Sequence, residues 1–363
     1  MRVYEGNGIG DMYFQLIRDL TNSGRGIVVR GHECIESKEP VTLVYRNPGA
    51  CWMCIPGRKF NPFFALAEVV WILSGRGDVD WICYFNENMR MFQDGDNPQF
   101  HGAYGTRIFK WSNLGSQPTR ETFLHIDQLS YALFKLRKDS FTRQAVISIW
   151  DPVLDNLMVS KDYPCNNLVY FSLRDGVLDM TVVIRSNDLV WGVPYNAVQF
   201  THLLAYTAGN LQVKMGTLTY VIQNLHYYMH LYTQTLATLL EAAFSGGQII
   251  SEKIPGFDVV DHRTFVHTKT GVDYILDRKL CWPAPAETSF HYWTGTIPFV
   301  LWIYRAIKEQ KIWDVGQIDF IAERISGFGD PLKAMILDFY QGSKNQTAKE
   351  VVFACRSTLA REE

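Results

Sequence analysis

The sequence predicts an α/β protein of the α+β type, a mixed sheet packed by helices with an extended C-terminal region, and three observations carry this reading. Residues 168–184 spell a hairpin: Leu168 to Leu173 and Val177 to Ile184 are rich in β-branched and aromatic residues, and Asp175-Gly176 between them supplies the positive φ angles of a tight turn. Helical spacing appears in Phe63 to Leu73, where Phe64, Ala67, Val70 and Trp71 recur on one face, and again in Asn196 to Ala208. No repeat, low-complexity tract or Gly/Ser-rich linker divides these elements.

Along the chain, Ala145 to Trp150 is a further β-rich run that precedes Cys165 by a short loop. Gly209 stands where a C-cap is expected for the 196–208 helix, and Leu225 to Phe244 reads as another, longer helix. Past Gly246 the expectations are a Pro-rich loop around Cys281 to Pro285 and helices at Pro298 to Gln310 and near Pro331 to Tyr340. Residues 246–363 therefore read as a mainly helical elaboration of the domain formed by residues 1–245.

Composition narrows the function. A chain of 363 residues that is 47% hydrophobic can bury a large core. With 35 basic against 37 acidic side chains there is no general field to recruit nucleic acid or an anionic membrane, so any phosphate must be met locally. The apolar run Phe63 to Leu73 is interrupted by Glu68 and is far shorter than the ~20 residues of a bilayer span. Met1 to Glu5 lacks an apolar signal core, and the expected location is the cytoplasm. Seven scattered cysteines do not form a disulfide framework. Cys51 and Cys54 make a CxxC without a second pair at zinc-site spacing; they read as structural thiols, and no metal is expected.

Chemistry concentrates between Pro164 and Tyr228. A free cysteine such as Cys165 is more often inert core than nucleophile, but its neighbours alter that balance. Arg185, beside a thiol, would favour the thiolate and offer a fork to phosphate oxygens; the bland alternative is a surface ion pair. Asn196 could be a helix N-cap, or its carboxamide could match the O4 and N3-H edge of uracil. His226 and Tyr228 point the same way if extended and would suit a sugar hydroxyl, although on a helix start they would belong to the core.

Pro164-Cys165, Arg185-Ser186-Asn187-Asp188, Gly192-Val193-Pro194-Tyr195-Asn196 and His226-Tyr227-Tyr228, in this order and spacing, resemble the motif series of the thymidylate synthase and pyrimidine nucleotide C5-hydroxymethylase family. Upstream, Ala67 to Gly75 is similar to the family's Glu-containing helix, Gly102-Ala103-Tyr104-Gly105 to its Tyr-Gly segment, and Thr142-Arg143-Gln144 to the site of its phosphate-binding arginine pair. The resemblance covers roughly residues 10 to 245.

The resemblance implies that Cys165 adds to C6 of a uracil ring, making C5 a carbanion equivalent that attacks 5,10-methylenetetrahydrofolate. It further implies Glu68 and Tyr104 as catalytic partners, and Arg25, Arg143, Arg185, Ser186, Asn196, His226 and Tyr228 as nucleotide-binding residues. Asp188 and Phe92 fall to the folate, and a homodimer is implied in which Arg143 crosses to the partner's site.

Departures from the family pattern bear on how the reaction ends. Gln144 replaces the second phosphate arginine, Asn166 a histidine after the nucleophile, and Ile184 a glutamine. Met91 and Phe92 stand where the synthases have tryptophans that shield the C5-methylene, and Leu359 to Glu363 lacks their apolar closing tail. If water enters, the product is a hydroxymethyl nucleotide. The first expectation is accordingly deoxyuridylate hydroxymethylation, of the kind that serves phages with modified DNA. Reductive methylation to thymidylate follows, then a CMP or dCMP hydroxymethylase, then a silent nucleotide-binding homologue. Cytidylate relatives commonly carry aspartate at the position of Asn196, which favours uracil here.

Overall fold

The structure is a computed structural model that describes residues 1–112, 125–251, 292–309, 315–326 and 330–362, with isolated positions between 263 and 272. In chain order its first elements are β1 (Arg2–Gly6), α1 (Ile9–Ser23), β2 (Arg25–Val29), β3 (His32–Glu36), β4 (Val41–Tyr45) and α2 (Pro62–Leu73). Next come α3 (Val79–Cys83), a 3₁₀ turn (Glu87–Phe92), α4 (Tyr104–Phe109), β5 (Trp111–Ser112), β6 (His125–Ile126) and α5 (Gln128–Lys138). The site-bearing elements are β7 (Val146–Ser148), α6 (Pro152–Leu157), β8 (Asn166–Arg174), β9 (Val177–Ile184), β10 (Asn187–Asp188), α7 (Gly192–Leu211), β11 (Lys214–Ile222), β12 (Leu225–Tyr228) and α8 (Thr233–Phe244). The described C-terminal helices are α9 (Ile297–Lys308), α10 (Val315–Ser326), α11 (Asp330–Tyr340) and α12 (Gln346–Glu362).

A mixed six-stranded sheet, ordered β1-β4-β11-β9-β8-β7, forms the base of the molecule. The predicted hairpin is β8–β9, with Asp175 at φ 50° and Gly176 at φ 72° in the turn. Along β9 the alternation buries Leu178, Met180, Val182 and Ile184 against helices and leaves Thr181 and Val183 half-buried on the opposite face. α7 is buried almost all round because it lies between this sheet and α2. α2 begins where Asn61 accepts from the Phe64 amide at 2.9 Å and Pro62 occupies the first turn. Every residue of α2 is buried except Glu68.

A second, four-stranded sheet, ordered β10-β12-β3-β2, stands beside the first. It corrects one sequence expectation: Leu225–Tyr228 is strand, and the helix begins at Thr233. The aromatic run His226-Tyr227-Tyr228 fits a pleated surface, and pairing with β3 and β10 decides its conformation. Gly209 is likewise not the cap of α7, which runs to Leu211 and stops at Gln212 in the left-handed region, φ 58°. There the Val213 amide reaches back to Ala208 O at 3.0 Å. Asn196 is no N-cap either, because α7 starts four residues earlier at Gly192.

The C-terminal helices expected at 298–310 and 331–340 are observed as α9 and α11, while Cys281 to Pro285 lies outside the described residues. Cys51 and Cys54 are free and buried, and burial pushes the Cys54 thiol up to about 12. Among the described residues no group of His, Cys, Asp or Glu is arranged to hold a metal ion, and no helix is long and apolar enough to cross a membrane.

Candidate active site

Cys165 immediately precedes β8, and Arg185 immediately follows β9; the pairing of Asn166 with Ile184 brings the two side by side. The Arg185 amide donates to Cys165 O at 3.0 Å. Its guanidinium donates from Nε to Pro164 O at 3.0 Å and from Nη2 to Tyr163 O at 3.1 Å, leaving Nη2 3.7 Å from the Cys165 sulfur. Burial pushes the thiol above its ordinary value; Arg185 opposes this most strongly among nearby cations, and Arg30 adds to it.

A row of amides leads away from the thiol. Asn166, fully buried, donates from Nδ2 to Asn196 Oδ1 at 3.4 Å, and Asn196 Nδ2 donates to Asn187 Oδ1 at 3.2 Å. These partners fix which end of the Asn196 amide faces which way. Gly192 is required here: a Cβ would fall 2.2 Å from Asn187 Oδ1. Tyr104 lies within reach of Asn166, which opposes the burial that raises its phenol far above its ordinary value.

Tyr104 is held by a buried knot. Asp155 accepts from His101 Nε2 at 2.8 Å and from Arg107 at 2.8 and 3.2 Å, tying the segment around Tyr104 to α6. The Gly102 amide donates to Asp162 at 2.8 Å, and a Cβ on Gly102 would meet the backbone of Pro164 at 2.9 Å. Tyr104 is thereby docked against the Pro164-Cys165 loop.

The second sheet supplies His226 and Tyr228, two apart on one face with rings 5.2 Å from each other. Ser186 Oγ lies 3.4 Å from His226 Nδ1. Asp188 caps the turn into α7: Oδ1 accepts from the Val190 and Trp191 amides at 2.7 and 2.9 Å, and Oδ2 from the Tyr232 hydroxyl at 2.8 Å. Burial raises its carboxyl above the ordinary range, with His226 opposing.

Beyond Tyr104 and Asn196 opens a cavity of about 670 Å³. Glu68, Gln199, Trp191 and Phe92 border it, as do Tyr304 of α9 and Phe339 of α11. Desolvation pushes the Glu68 carboxyl up to about 8, with a hydrogen bond from Gln199 opposing. The cavity's aromatic side chains offer flat apolar walls, and Glu68, Asn196 and Gln199 bring polar groups to it.

A sequence model of thymidylate synthase matches residues 12–259. The chain belongs to the thymidylate synthase family. A deoxyuridylate hydroxymethyltransferase of Bacillus phage SP01 is 36% identical over 231 residues, 63% of this chain and 59% of that protein. Another, from Pseudomonas phage M6, is 41% identical over 192 residues, 52% of this chain and 51% of that protein. A putative thymidylate synthase of Methanosarcina barkeri is 30% identical over 145 residues, 40% of this chain and 61% of that protein. The chain thus matches about half to three-fifths of the length of these curated relatives.

For this member of the thymidylate synthase family, geometry distinguishes among the residues read from the sequence. Cys165, Arg185, Asn196 and Tyr104 converge through direct contacts or through Asn166. Glu68 and Phe92 border the adjoining cavity. Arg25 is paired with Glu36 at the base of the β2–β3 hairpin, whereas Arg30 at its tip is the hairpin arginine whose charge acts on Cys165. Arg143 is exposed just before β7 and makes no ion pair among the described residues. Sequence reasoning missed Arg30, Gln199, Tyr304 and Phe339. The first had a signal, Arg30-Gly31 between two β-rich runs, and both residues take positive φ in the turn.

Proposed function

We propose that the protein transfers a one-carbon unit from 5,10-methylenetetrahydrofolate to C5 of dUMP, with water completing the reaction to give the hydroxymethyl nucleotide. The observation that carries the reading is the thiol of Cys165 beside the Arg185 guanidinium, next to the ordered Asn196 amide. The Cys165 thiolate adds to C6, Asn196 reads the O4 and N3-H edge, and Arg185 with Arg30 and a partner's Arg143 meets the phosphate. Ser186, His226 and Tyr228 would hold the phosphate and sugar side, and Tyr104 with Glu68 the proton transfers.

Trp191 and Phe92 would hold the folate ring, with Asp188 fixing the turn that carries Trp191. The folate supplies the one-carbon unit when bound. Hydroxymethylation is favoured over methylation by Met91 and Phe92 at the expected place of shielding tryptophans, Met91 being largely exposed, and by the likeness to phage deoxyuridylate hydroxymethyltransferases. A homodimer is supported by the edge of the six-stranded sheet near Arg143, where the paired apolar side chains Val146 and Tyr170 are exposed.

The test is incubation with methylenetetrahydrofolate and each of dUMP, UMP, dCMP and CMP, followed by product mass. Gain of a CH2O unit on dUMP with release of tetrahydrofolate is expected. Gain of a methyl group with dihydrofolate formed would overturn the hydroxymethyl reading. Cys165→Ser should keep nucleotide binding and lose turnover, and unchanged turnover would remove the thiol's role.

A further inference from the structure

Gln199 sits in the middle of α7, only 7% exposed, and its carbonyl oxygen Oε1 has no hydrogen-bond partner. Its immediate neighbours Val198 and Phe200 are buried and apolar, so leucine or methionine would serve packing at least as well. An unpartnered buried amide oxygen is destabilising. The same is true of Glu68, whose Oε2 is buried and unpartnered although Gln199 lies within reach of the carboxyl and opposes its raised pKa. Both side chains border the same cavity, Gln199 one helical turn along α7 from Asn196 and Glu68 on the facing α2.

Two acceptor oxygens that border one cavity and lack donors fit the two hydrogens of one water molecule. Such a water turns its own lone pairs toward the cavity, on the side of the Asn196 amide. We propose that Gln199 is the residue that seats and orients this reacting water together with Glu68, so that the one-carbon adduct is hydrated. The inference rests on the hydroxymethylation reading and deepens it.

The step balances. Once tetrahydrofolate has left, C5 carries an exocyclic methylene conjugated with the C4 carbonyl, and Cys165 remains bonded to C6. The water oxygen forms a bond to the methylene carbon, and its proton passes to Glu68 in its ionised form, which burial makes the minority below about pH 8. The displaced electron pair moves to the C4 oxygen as an enolate. Collapse of the enolate restores the C5–C6 double bond and expels the Cys165 thiolate with the electron pair of its carbon–sulfur bond. Gln199 takes no proton; it holds the water by accepting a hydrogen bond.

The experiment compares wild type with Gln199→Leu and Gln199→Met, two apolar replacements of similar length, using dUMP tritiated at C5. Tritium release reports thiol addition and loss of the C5 proton, and product mass reports hydration. Expected in a single turnover, with enzyme in excess, are tritium release within about threefold of wild type and hydroxymethyl product formed at least about thirtyfold more slowly. A covalent Cys165–nucleotide adduct should accumulate in mass spectra, and added 2-mercaptoethanol should divert it to a thioether of the nucleotide. Equal loss of both rates, or no change in product formation, would overturn the role of Gln199. A wild type that itself yields thymidylate would instead remove the underlying reading, and no variant is needed to see that.

Discussion

The Arg185 guanidinium lies 3.7 Å from the Cys165 sulfur while two backbone carbonyls, of Tyr163 and Pro164, hold it in place. The cation is thus fixed before any ligand arrives, and it opposes the desolvation that raises the thiol. Arg185→Gln should move the midpoint of Cys165 alkylation by iodoacetamide upward by about one pH unit. Peptide mass mapping across a pH series measures this at Cys165 itself; an unmoved midpoint would mean that the arginine serves phosphate without tuning the thiol.

Arg25 and Arg30 occupy opposite ends of β2 and its turn, and their surroundings predict unequal effects. Arg25 is engaged by buried Glu36, while Arg30 extends its charge to Cys165 and Tyr228. Arg30→Ala should raise the KM for nucleotide by about tenfold, whereas Arg25→Ala should change it by less than about threefold and lower stability instead. Steady-state kinetics with varied nucleotide, beside thermal melts, separates the two.

The contrast shows what local sequence can convey. The β8–β9 hairpin and α2 were readable because Asp175-Gly176 and the apolar spacing of Phe64, Ala67, Val70 and Trp71 act within a few residues of themselves. The strand at Leu225–Tyr228 was not, because its partners β3 and β10 lie about 190 and 40 positions away in the chain, and only the pairing selects extended backbone. Motif order located Cys165, Arg185 and Asn196, but motifs are silent on the side chains of intervening helices. Gln199 is such a residue, and Tyr304 and Phe339 reach the cavity from beyond the family match.

Glu68 should be a site where function opposes stability. Its carboxyl, ordinarily near 4.5, is raised to about 8 in the folded protein by burial. Between those values the folded state keeps a proton that the unfolded state releases, so this group's contribution to stability declines as pH rises across the window and is fully unfavourable above about 8. Glu68→Gln should therefore melt higher than wild type at pH 8.5 and nearly equally at pH 4.5, a gap on the order of 5 kcal/mol at the alkaline end. Turnover should fall about a hundredfold or more in the same variant. Melts of both proteins across pH supply the check, and a gap that narrows toward alkaline pH would contradict the raised carboxyl.

Asp338 connects the C-terminal helices to the cavity. Its Oδ1 accepts from the Gly57 amide and its Oδ2 from the Lys59 amide, both at 2.7 Å, although Asp338 lies about 280 residues further along the chain. Gly57 and Lys59 both take positive φ, 82° and 54°, and for lysine that backbone is strained unless something holds it. The clamped loop leads through Asn61 into α2, and Lys59, Asn61 and the neighbouring Phe339 all border the cavity. Asp338→Ala leaves two amides without their acceptor and frees the strained loop, at a cost of about 2 kcal/mol or more. The expected kinetic result is a KM for methylenetetrahydrofolate raised at least about fivefold with the nucleotide KM little changed, because the thiol, Arg185 and the amide row stand on other elements. Asp338→Asn retains one acceptor oxygen and should fall between wild type and the alanine variant on both measures. Equal increases in the two KM values would show that α11 supports the whole domain rather than the wall of this cavity.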